Sequence, residues 1–178
     1  MHKPQRSLKS RALQLLAQRD QSRFELRRKL LRHVRSASAS AVDATGGEDD
    51  DAGAAALAAI DPLLDWLEAN GFLSNERFAE SRVHARQSRF GLLRIKSELG
   101  RHDVALPPEL EESLAASELE RAAAVRARRF AALPRAAAER ASQSRFLLAR
   151  GFAPEIVHRL MRSLGRASAV SASASNDA

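Results

Sequence analysis

Arg28, Arg32 and Arg35 stand four and then three residues apart, and Arg82, Arg86 and Arg89 repeat that spacing. On a helix, positions i, i+4 and i+7 lie along one stripe. Arg94 and Lys96 extend the basic character beyond the second triplet, and Arg126, Arg128 and Arg129 form a third cluster. Only Lys3, Lys9, Lys29 and Lys96 among the 29 basic residues are lysines. Arginine's planar fork holds a phosphate or a carboxylate at two points, so the chemistry on offer is capture of a polyanion or of an acidic protein surface. The formal net charge of +7 points the same way. Solvated faces opposite apolar stripes, in an alanine- and arginine-rich chain of the kind a GC-rich genome encodes, are the competing reading. Recurrence of one spacing on two segments favours a real anionic contact. With no Tyr and one Trp, contact with nucleic acid is expected to be mainly to phosphates rather than to stacked bases.

Other chemistry is hard to place. Cysteine is absent, which excludes thiolate catalysis, disulfides and zinc–thiolate sites. No glycine-rich loop precedes a Lys-Ser or Lys-Thr pair, so no phosphate cradle for ATP is expected. His2, His33, His84, His102 and His158 lie far apart, without metal-ligand spacing. The Glu48–Asp51 run lacks the glycine-turned geometry of a calcium loop. No nucleophile elbow or catalytic carboxylate pair stands out. We therefore expect no enzyme, no cofactor and no metal. The first ten residues lack an apolar core and no apolar run spans a bilayer, so a cytoplasmic protein with no membrane partner is expected.

The elements that must position the arginines are helical. The apolar content is mostly Ala and Leu, a helical palette. Pro62, Pro108 and Pro154 recur at an interval of 46 residues, each heading a short amphipathic segment. Proline suits the first helical position. One helical unit used three times is the simplest source of that interval, and such units stack into an elongated array rather than a pocketed globule. The first unit spans 8–73, the second 74–117 and the third 118–165. Residues 1–7 and 166–178 read as disordered tails. Within the first unit, residues 36–56 read SASASAVDATGGEDDDAGAAA, an acidic low-complexity insertion expected to be disordered and to contribute little packing.

Local signals fill in the helices. Ser22 and Glu25 have the spacing of a capping box. Asn70-Gly71 should close the helix begun near Asp61. Ser74 should cap the next, with Phe78, Ala79 and Val83 inward. Ile95 and Leu99 line a helix ending near Gly100. Leu119, Ala122, Val125 and Leu133 define a long helix broken at Pro134. Ile156, Val157, Leu160, Met161 and Leu164 give the cleanest stripe. The tetrapeptide QSRF occurs at Gln21, Gln87 and Gln143, but its register against the apolar skeleton varies, so it reads as partly coincidental.

Three stretches resemble one known family. They are ALQLLAQRDQSRFELRRKLLRH from Ala12, WLEANGFLSNERFAESRVHARQSRFGLLRIKSELGRHDV from Trp66, and RRFAALPRAAAERASQSRFLLARGFAPEIVHRLMRSL from Arg128. Together, and in that order, they resemble the RecX family of RecA-regulating proteins. The resemblance implies an all-α fold of three tandem three-helix repeats, nine helices in an elongated, curved array. It also implies a regulator that lies in the groove of the RecA–DNA filament and inhibits recombinase and ATPase activity in recombination and repair. The insertion is longer than the family's usual connection. The family brings no catalytic residues, so the candidate RecA- or DNA-binding surface rests on the arginines named above. The alternative is a stand-alone helical module binding single- or double-stranded DNA through phosphates. Nothing demands a dimer, so a monomer is expected.

Overall fold

The computed structural model describes residues 7–45 and 50–174, with side chains except over 38–53 and beyond 167. Among the described residues there are ten helices and no strand. They are α1 (Leu8–Gln18), α2 (Arg23–Thr45), α3 (Asp50–Ala58), α4 (Ile60–Ala69), α5 (Asn75–Arg86), α6 (Leu92–Gly100), α7 (Pro108–Ala116), α8 (Glu118–Arg129), α9 (Ala137–Ala149) and α10 (Pro154–Ala174). The chain is all-α. Pro108 and Pro154 are the first residues of α7 and α10, and Pro62 is the third of α4. The 46-residue interval is thus kept by the prolines, while the three helix starts they mark lie 48 and 46 residues apart.

Two compact units are present. One takes the residues up to Phe78 with His102–Val104, the other Ala79–Arg101 and everything from Ala105. In the first, α2 packs against α1, α3 and α4. Ala12, Leu15, Leu26, Leu30, Val34, Ile60, Leu64, Leu67 and Leu73 form its core. The helix starts follow from short polar side chains: Ser7 Oγ accepts from the Ser10 N–H at 3.2 Å, and Ser74 Oγ from the Arg77 N–H at 3.1 Å. Gly71, at φ 72, ends α4 in the left-handed region. The Phe72 N–H then turns back to the Leu67 carbonyl at 2.9 Å. In the second unit, α8, α9 and α10 pack on one another around Ala122, Val125, Leu147, Phe152, Val157, Leu160 and Met161. Among the described residues no helix is long and apolar enough to cross a membrane.

Several local expectations need correction. The backbone is helical through Thr45 and again over Asp50–Ala58, where the sequence predicts a disordered insertion. Ala56, within that insertion, and Leu57 pack against the first core. Alanine is the best helix former and α2 enters the segment already nucleated, so propagation costs little there. For the same reason α10 runs on to Ala174 through an expected tail. Residues 1–6, 46–49 and 175–178, the remaining parts of the expected disorder, lie outside the described residues. The helix α8 ends at Arg129, so Leu133 falls in the following loop. The capping box at Ser22 is half made: the Glu25 N–H reaches Ser22 Oγ at 3.0 Å, while the Glu25 carboxylate turns to Arg19 and Lys29.

Candidate anion-binding surface

In the first unit α2 sorts its arginines by face. Arg23 bridges Asp65 and Glu68, each at 2.6 Å, and Arg27 pairs with Asp61 at 2.7 Å. Those two are neutralised by α4. Arg28, Arg32 and Arg35 are exposed and, among the described residues, have no carboxylate within ion-pair distance. Arg28 lies over the Phe24 ring at 5.7 Å. The first stripe is therefore available positive charge on a rigid helix.

The second unit treats its candidates unequally. Arg86 and Arg94 are spent on one carboxylate: Glu98 lies 3.0 Å from Arg86 Nε, an ion pair whose N–H does not point at the oxygen, and 3.3 Å from Arg94 Nε. Lys96 pairs with Glu111 at 2.7 Å. Arg126 is buried, with 6% exposure. Its Nε donates to Gln143 Oε1 at 2.9 Å and its Nη2 to the Ala132 carbonyl. It faces the α8–α9 packing and belongs to no surface, because its place in α8 turns it beside core Val125 and Ala122 rather than outward. Arg82 is half-buried.

Arg89, Arg128 and Arg129 remain exposed, and the structure gathers them with Arg150, which lies outside the clusters that spacing identifies. These four and Ser88, Val125 and Phe146 line an open cleft of about 220 Å³. Arg128 Nη2 donates to the Ser88 carbonyl at 2.9 Å and Nε to that of Ala124 at 3.4 Å. Arg89 sits over Phe90 at 5.8 Å, Arg129 over Phe130 at 5.6 Å and Arg150 over Phe146 at 3.9 Å. None of the four pairs with a carboxylate among the described residues. All are propped by rings or carbonyls, which orient a guanidinium without cancelling its charge.

The loop carrying Ser88 and Arg89 is fixed from below. Arg121, half-buried, donates to the carbonyls of Gln87 at 3.1 Å, Phe90 at 2.9 Å and Leu114 at 2.8 Å. Burial pushes its guanidinium below the ordinary arginine value, against the pull of Glu118. Glu118 itself is buried, and one oxygen accepts from the Leu92 N–H at 3.1 Å and the Ala153 N–H at 3.2 Å. It thereby caps the starts of α6 and α10 together. Between those starts Gly91 meets Gly151: the Gly91 N–H donates to the Arg150 carbonyl at 3.0 Å and the Leu93 N–H to that of Gly151 at 3.1 Å. A Cβ on Gly91 would come within 2.2 Å of the Gly151 carbonyl oxygen. The approach is possible only with glycine there.

One missed signal was present in the sequence. Each QSRF continues with Leu two residues on and Arg four residues on, giving QSRFELRR, QSRFGLLR and QSRFLLAR. Phe24, Phe90 and Phe146 each carry that arginine over the ring, at 5.7, 5.6 and 3.9 Å. The first two copies stand just before α2 and α6 or at their start, whereas the third lies inside α9. Its register does vary, but its local chemistry is constant.

No family model matches the chain. Proteins named "Regulatory protein RecX" do. That of Ralstonia nicotianae is 44% identical over 158 residues, covering 88% of this chain and 87% of its own. That of Herbaspirillum seropedicae is 44% identical over 164 residues, covering 91% of each. This chain belongs to the RecX family. The crystal structure of RecX from Lactobacillus salivarius, at 18% identity, superposes with a TM-score of 0.58 over 88% of this chain and 94% of that one, which bears on the RecX fold alone. Among the described residues no three His, Asp or Glu side chains group to hold a metal.

Proposed function

We propose that this RecX-family chain regulates RecA by binding the RecA–DNA filament and inhibiting its recombinase and ATPase activity, performing no chemistry itself. It does so as a monomeric, cytoplasmic protein of three tandem three-helix repeats over 8–73, 74–117 and 118–165. The observation that carries the reading is the sorting of arginines on α2. One face is neutralised by α4 while Arg28, Arg32 and Arg35 are left without carboxylates among the described residues. The division leaves three guanidiniums along one stripe of α2, where a polyanionic or acidic partner can be met at several points. Further units with open guanidiniums add contacts along a repetitive partner, and several weak contacts on one body gain avidity.

The test is a titration of DNA-dependent ATP hydrolysis by RecA. Inhibition is expected below one chain per RecA protomer, and R28E/R32E/R35E should raise the half-inhibitory concentration about tenfold or more, the loss of roughly 1.4 kcal/mol of contact. Inhibition that needs enough protein to coat all the DNA supports instead the module that binds nucleic acid alone. Full potency in the triple variant removes α2 from the site.

A further inference from the structure

The cleft of the second unit has features that the regulatory reading does not require. Four guanidiniums converge on about 220 Å³, and two of its walls are apolar, Val125 and Phe146. A plain acidic surface would be met by charge alone. Here one guanidinium, that of Arg150, lies 3.9 Å from the centre of the Phe146 ring. A guanidinium held by a ring on one face offers its other face as a flat, cationic platform. Phe130 stands edge-on to Phe146 at 5.1 Å and holds that ring in turn.

We infer that this cleft binds one unstacked nucleotide of a single-stranded nucleic acid, its phosphate between Arg89, Arg128 and Arg129 and its base against the Arg150–Phe146 stack. Arg128 is committed to two carbonyls through Nε and Nη2, which leaves Nη1 for a phosphate oxygen. Arg89 and Arg129 are exposed and free of carboxylates among the described residues. Single-stranded readers combine a basic track with a stacking surface in this way. An acidic peptide fits less well, since it supplies charge without a flat face for Arg150 and finds no strand edge to pair with among the described residues. Four like charges in one cleft also repel, so the apo protein carries a cost that only an anion relieves. The inference extends the proposed regulation by giving the second unit a ligand, and it is tested without RecA so that the two stand or fall separately.

The experiment is fluorescence anisotropy of a labelled oligo-dT of about 15 nucleotides with the full chain, between about 50 and 200 mM salt. R89Q/R129Q should bind about tenfold more weakly at the lower salt. Its salt slope should be shallower by about 1.4, two phosphate contacts at about 0.7 each for a single strand. Its melting temperature should hold or rise, because like-charge repulsion is relieved. An abasic strand of equal length should bind the unmodified chain at least about fivefold more weakly, and R150K should lose that preference while keeping its salt slope. Oligo-rU in place of oligo-dT separates DNA from RNA as the natural source. Unchanged affinity in R89Q/R129Q, a melting point lowered by several degrees, equal binding of the abasic strand, or competition by polyglutamate as effective as by oligo-dT would each overturn the assignment. RecA inhibition that survives these failures leaves the regulatory reading intact.

Discussion

Glu118 is the most exposed test of how the second unit is held. Its buried carboxylate accepts from the Leu92 and Ala153 N–H groups, the first amides of α6 and the entry to α10. Replacing it with alanine orphans two part-buried donors. Hydrogen bonds to a charged acceptor contribute about 1.5–3 kcal/mol each, and an unsatisfied buried donor costs about 1–3 kcal/mol. These are two descriptions of one loss, so Glu118→Ala should destabilise by about 3–5 kcal/mol. For a chain of this length that is a fall in melting temperature of roughly 10 °C. Glu118→Gln keeps the accepting oxygen and gives up only charge, and should lose about 1–2 kcal/mol. Urea denaturation followed by far-UV circular dichroism measures both. If the alanine variant lay within about 0.5 kcal/mol of the parent, or the glutamine variant fell as far as the alanine one, the double cap would be the wrong account.

Other outcomes follow from the same contacts. Glu25 is partly buried, which works against its charge, but hydrogen bonds from Arg19 and Lys29 hold its carboxyl below the usual carboxylate range. A lowered folded value means a contribution that is full above the ordinary carboxylate value and vanishes as pH falls through the folded one. Glu25→Gln should therefore be less stable than the parent at pH 7 and converge with it in strong acid, read from urea midpoints. Arg126→Ala should destabilise by about 2–4 kcal/mol through the stranded Gln143 and Ala132 acceptors, with no change in anion binding while the chain stays folded. A stable R126A that binds oligonucleotide poorly would return Arg126 to the surface set.

The helices were legible because their signals are local. A proline at a helix start, a serine three residues before its amide partner and a glycine at positive φ each act within one turn, so Ser74, Gly71, Pro108 and Pro154 read correctly. The inward faces of Phe78, Val83, Ile95 and Val157 follow from periodicity, and all four are buried. Composition alone makes residues 36–45 look disordered, but the helix propensity of alanine beyond an established helix carries α2 through them. The site was legible only in part. Spacing identifies a stripe, but which arginines stay open depends on where carboxylates arrive from elsewhere in the chain: Glu98 claims Arg86, while among the described residues no carboxylate pairs with Arg89. Arg150 escaped notice because its partners in the cleft lie up to 62 positions earlier, at Ser88.

The meeting of Gly91 and Gly151 bears on how the nearby arginines behave. Arg89 stands two residues before the first glycine and Arg150 immediately before the second, so the span between their Cα atoms is set by main chain clasped to main chain. Rotamer changes can tilt the guanidiniums but cannot widen the gap between their anchors. For the nucleotide proposed above, an opening of that kind would act as a fixed gauge, admitting what already fits and gaining little from closing around what does not.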